Sequence, residues 1–107
     1  MLSRSIAPLL KDFFEALSQR SFAEAERSLE KINGKAKDTE WYRGFISALD
    51  GMVIALKTND RYTLINQIKQ ENVKGLMKDF SIQSKSTFQT EFDKGYFTAW
   101  VNYLKSL

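Results

Sequence analysis

Apolar residues along this chain recur three and four positions apart rather than at every second position, the spacing of helices that bury one face. Six segments carry the pattern. The first runs from Ser3 or Ser5 to Ser18, with Pro8 in its opening turns, where a missing N–H costs little. Its apolar face is Ile6, Leu9, Leu10, Phe13, Phe14 and Leu17. The second opens on the capping-box pattern Ser21-Phe22-Ala23-Glu24, presents Phe22, Ala25, Leu29 and Ile32, and is expected to stop at Asn33-Gly34. The third, capped by Asp38 or Thr39 and ending near Thr58, is apolar on most sides, which marks a central helix. Asn59-Asp60 caps a fourth segment carrying Tyr62, Leu64, Ile65 and Ile68, and Asn72 caps a fifth carrying Val73, Leu76, Met77 and Phe80. Ser86-Thr87-Phe88-Gln89 reads as a second capping box, opening a sixth helix that carries Phe88, Phe92, Tyr96, Phe97, Trp100, Tyr103 and Leu104.

The second half lies over the first, without gaps, at an offset of 51 residues. Thr39-Glu40-Trp41-Tyr42-Arg43-Gly44 aligns with Thr90-Glu91-Phe92-Asp93-Lys94-Gly95, and Ala48 with Ala99. Turns and apolar positions correspond along the remaining helices. A repeat of this size predicts an all-α fold of about six helices in two three-helix units, about 9–56 and about 60–107, within one domain spanning 1–107. Either a helical bundle with an approximate internal two-fold or a short α-solenoid satisfies it. Gly44 with Ala48, and Gly95 with Ala99, form small-residue notches where another backbone can approach, so these four are the expected helix contacts.

Composition narrows the chemistry. The chain is 43% hydrophobic and 13% aromatic, sufficient for a core without a metal or a disulfide. Having neither Cys nor His, it lacks thiolate nucleophiles, imidazole bases and the usual zinc ligands, and no metal or cofactor is expected. No apolar run approaches a membrane span and no signal peptide is recognised, so the expected location is cytoplasmic. Glu26 and Glu30 share a face interleaved with Arg27 and Lys31, while Glu40, Glu91 and Asp93 sit at helix starts, where the dipole favours negative charge. Asp50 interrupts an apolar stretch and reads as the polar edge of a mostly buried helix or as half of an ion pair with a base on another helix, the alternative being a half-buried carboxylate with a raised pKa. Without a partner base or nucleophile it defines no mechanism, and the expectation is a protein that is not an enzyme.

Net charge is +3; the charges balance up to Val53 and the whole excess lies beyond it. Lys69, Lys74, Lys78 and Lys85 form a candidate basic face for nucleic acid. The aromatic residues exceed what six short helices need to bury. Trp41, Tyr42, Tyr62, Tyr96, Trp100 and Tyr103 are therefore candidates for a partner or self-association surface.

The first two helices, with their three-residue turn, resemble tetratricopeptide and other helical-hairpin repeats, although the period of 51 differs from that family's and its signature residues are absent. In size, in lacking Cys and His, and in its Gly44 and Gly95 helices, the chain is similar to small all-helical archaeal proteins, some of them accessory subunits of larger enzymes such as DNA polymerases. That resemblance implies a non-enzymatic protein–protein interaction module, an adaptor or accessory subunit. The alternative is a nucleic-acid-associated protein, for example an accessory subunit of a DNA-processing complex.

Overall fold

A computed structural model describes residues 2–107. Six α-helices form a bundle with no strand among the described residues: α1 (Ala7–Ser18), α2 (Phe22–Lys35), α3 (Glu40–Thr58), the single turn α4 (Leu64–Gln67), α5 (Val73–Lys85) and α6 (Glu91–Lys105). A 3-10 turn at Gln70–Asn72 leads into α5. Helix starts respect the offset of 51: Phe22 and Val73 open α2 and α5, Glu40 and Glu91 open α3 and α6. The caps correspond as well, since Thr39 Oγ1 accepts from the Tyr42 N–H at 3.2 Å and Thr90 Oγ1 from the Asp93 N–H at 3.1 Å.

The centre of the molecule is the crossing of α3 and α6, and glycine makes it possible. A Cβ on Gly44 would lie 1.8 Å from the Phe92 carbonyl oxygen, and a Cβ on Gly95 would lie 1.8 Å from the Trp41 carbonyl oxygen. Any side chain would hold the two backbones apart. The pair is reciprocal, because Trp41 and Phe92 are themselves counterparts at the offset. Identical surfaces meeting each other define a two-fold relation, whereas a solenoid step would set one face of a unit against the opposite face of the next. The arrangement is a bundle about an internal two-fold.

Around this crossing lies a single core. Ile6, Phe13, Ile32, Phe45, Leu49, Met52 and Leu104 are almost wholly buried, and Ala48 and Ala99 pack beside the glycines. Most of the core belongs to the first unit. The second departs from it at the segment aligned with α1. Where α1 holds twelve residues with none β-branched, its counterpart Thr58–Lys69 contains Thr58, Thr63, Ile65 and Ile68 together with Asn59, Asp60 and Asn66. Such side chains disfavour helix and bond to nearby backbone. Asp60 Oδ1 accepts from the Tyr62 N–H, and the Asn66 amide donates to the Ala55 and Asp60 carbonyls. One turn of helix remains.

Several local expectations are corrected. Ser21 occupies the N-cap of α2 but makes no capping bond, and Glu24 pairs with Arg27 at 2.6 Å instead. Helix α2 runs through Asn33-Gly34 to Lys35, because Gly34 needs no left-handed backbone there. Asn72 accepts from the Lys69 N–H instead of capping α5. The sixth helix begins at Glu91, not at the Ser86 box: the chain must reverse between the antiparallel α5 and α6, and residues 86–90 make that turn. Asp50, by contrast, keeps the polar-edge reading: it is exposed on α3 while Leu49, Met52 and Val53 are buried.

Candidate functional site

The middle helix of each unit leans a different way. Helix α2 packs along α1, whereas α5 packs along α6 and not along α4. Each lean opens a cleft on the abandoned side, and the residues there account for the direction. On the α3 side of α2 stand Glu26, Glu30 and Asn33, polar groups that remain hydrated. Their counterparts on α5 are Met77, Ser81 and Ser84, all half buried, and this less polar edge closes onto α6. There Phe80 packs on Phe97 and Trp100, with ring centroids 5.5 and 6.2 Å apart.

The cleft between α2 and α3, about 630 Å³, is lined mostly by polar and charged residues, with Leu29, Ala36 and Ile46 among them. Glu26 pairs with Lys57 at 2.9 Å, and Arg43 holds both Asp38 and Glu40. Glu30 and Asp50 also line it, beside Lys37, Tyr42 and Ser47, and among the described residues no acidic cluster is arranged to hold a metal.

The second cleft, about 480 Å³, is apolar and lies between α3, α4 and the α5–α6 pair. Ala48, Met52, Leu64, Ile65, Phe80 and Trp100 line it. In the first unit Phe13, Phe14, Leu29 and Leu49 occupy the positions of Leu64, Ile65, Phe80 and Trp100 and are all buried. Trp100 Nε1 is buried without a hydrogen-bond partner among the described residues.

Helix α5 is the one long helix that buries none of its side chains. Along its outer side, Lys74, Lys78 and Lys85 fall within about 40° of each other at 100° per residue, so they form one stripe. None has an ion pair among the described residues. Beside the stripe Ile82 is 57% exposed, and Phe88, in the turn that follows, is 98% exposed. Lys69 is exposed as well and precedes the helix.

The six aromatic candidates divide. Tyr42 and Trp100 are buried and are withdrawn from any partner surface; Trp41 stacks on Phe45 at 5.4 Å, and Trp41, Tyr96 and Tyr103 are half buried against the core. Tyr62 alone is openly exposed. The spacing of apolar residues marks no face for Ile82 and places Phe88 in the sixth helix, although the offset carries a signal for both. They align with Lys31 and Lys37, both solvent positions. No helix among the described residues is long and apolar enough to cross a membrane. Compared with family models, curated proteins and solved structures, the chain matches none.

Proposed function

We propose that this protein is a non-enzymatic interaction module, a cytoplasmic adaptor or accessory subunit whose binding surface is its second half. One observation carries the reading. Helix α5 buries no side chain and, with the following turn, exposes Ile82 and Phe88 where the first half exposes lysines. A monomeric fold gains nothing from a fully exposed phenylalanine, whereas an apolar anchor on a poorly buried helix is what a docking surface requires.

The test is capture of partners from native extract, with and without nuclease, by the wild-type protein and by Ile82→Ser/Phe88→Ser. Both side chains are exposed, so the variant folds. A stoichiometric protein retained after nuclease and lost from the variant is the expected result. Equal capture by the variant would remove this surface from the function. The second reading is nucleic-acid binding, favoured by the unpaired stripe of Lys74, Lys78 and Lys85 with Lys69 nearby; it predicts a captured complex that nuclease dissolves.

A further inference from the structure

The structure assigns a chemistry to the partner, an inference that rests on the interaction-module reading: we propose that the outer face of α5 receives an acidic amphipathic segment of another protein. Its carboxylates meet Lys74, Lys78 and Lys85, and its apolar side chains cover Ile82 and Phe88.

Charge complementarity is the first argument. The stripe lines the length of α5 without an ion pair among the described residues, and the nearest acid on the helix, Asp79, projects about 100° away from Lys78. The corresponding stripe of α2 is Ala23, Arg27 and Gly34, with Arg27 neutralised by Glu24. The apolar residues give the second argument. Ile82 lies between Lys78 and Lys85 in sequence and beside them on the helix surface. An aliphatic side chain has no ring to stack on a base, and next to a phosphate backbone it would face hydrated oxygens. Binding of single strands by stacking uses a succession of aromatic side chains, and this face offers Phe88 alone. A segment alternating carboxylates with apolar residues satisfies both sets of groups at once.

The probe is a short fluorescein-labelled peptide in which Glu alternates with Leu and Phe, followed by anisotropy. Three controls accompany it: Lys in place of Glu, Ser in place of the apolar residues, and a single-stranded oligothymidylate. The acidic amphipathic peptide is expected to bind the wild-type protein. Lys74→Glu/Lys78→Glu/Lys85→Glu should weaken it at least about tenfold and favour the Lys peptide, because each exposed pair changes from attraction to repulsion. Ile82→Ser/Phe88→Ser should weaken it severalfold. Circular dichroism of each variant excludes unfolding. The proposal is overturned if the oligothymidylate binds more tightly than the peptide, if the Ser control binds equally well, or if lysine reversal has no effect. A cellular partner still captured after lysine reversal would overturn the acidic assignment and leave the module reading intact, whereas the absence of any nuclease-resistant partner would remove both.

Discussion

The two halves share their helix starts, their threonine caps and a reciprocal pair of glycines, yet their outer helices pack differently and most of the buried core lies in the first. In the first, α1 and α2 pack as a hairpin whose Phe13, Phe14, Ala25 and Leu29 are buried. In the second, the counterpart of α1 is one turn, α5 packs on α6, and the cleft left beside α3 and α4 is apolar, whereas the cleft between α2 and α3 in the first half is lined mostly by polar and charged residues. A shared crossing at α3 and α6 constrains the central helices tightly and the outer ones hardly at all. Stability is therefore expected to reside in the first half and at the crossing, and recognition in the second half, where packing was relaxed.

The contrast is sharpest at paired positions. Phe13 is completely buried, so Phe13→Ala should cost about 3–5 kcal/mol through lost burial and the cavity left behind. Its counterpart Leu64 is only half buried and already borders a cleft, so Leu64→Ala should cost no more than about 1–2 kcal/mol, below the range for a closed core. Urea denaturation of both variants decides the matter. Equal losses would mean that the second half is packed as firmly as the first.

The crossing should behave in the opposite way, with both halves contributing equally. Gly44→Ala and Gly95→Ala each force a methyl onto a backbone oxygen, which no rotamer change relieves, and each should cost about 3 kcal/mol. Once the first methyl has pushed the helices apart, the second meets less resistance. The double variant should therefore lose clearly less than the sum of the two. Additive losses, or a single variant melting like wild type, would break the reciprocal-contact account.

Much of this fold was legible because its strongest determinants are local. Thr39 and Thr90 announce their helices by capping chemistry, and the spacing of Gly44 and Gly95 with Ala48 and Ala99 announced the crossing. What failed was competition between local signals. Ser86 and Thr90 both cap acceptably, and the need to reverse the chain before α6 decided for Thr90. Asn33-Gly34 offers a stop that α2 ignores, since nothing crowds Gly34 or demands a left-handed residue. The lean of α5 was less accessible still. It depends on Met77, Ser81 and Ser84 being compared with Glu26, Glu30 and Asn33, a contrast that acquires meaning only once both sets face a neighbouring helix. The candidate surface is half legible: the lysines stand out in the sequence, whereas Ile82 belongs to no apolar face that the spacing marks and Phe88 reads as part of the sixth helix.

The smallest expected effect tests the comparison at Met52 and Tyr103, counterparts across the two-fold. Met52 is buried and carries no proton, whereas Tyr103 is half buried beside Phe14 and Trp100, with ring centroids 5.6 and 5.8 Å away. Burial raises its phenol above the ordinary value of 10.0, because a phenolate there would lose hydration. The folded protein thus holds this proton to higher pH than the unfolded chain does. The associated stability is complete below about pH 10 and is lost as pH rises through the folded value. Tyr103→Phe has no such proton, and the remaining tyrosines are common to both proteins and cancel in the difference. Wild type should therefore lose stability relative to Tyr103→Phe as urea denaturations are carried from pH 9 to above pH 10, with no divergence below that range. Parallel curves throughout would show that the phenol is as well hydrated in the fold as in the open chain. The second half would then be looser around Tyr103 than its packing against Phe14 implies.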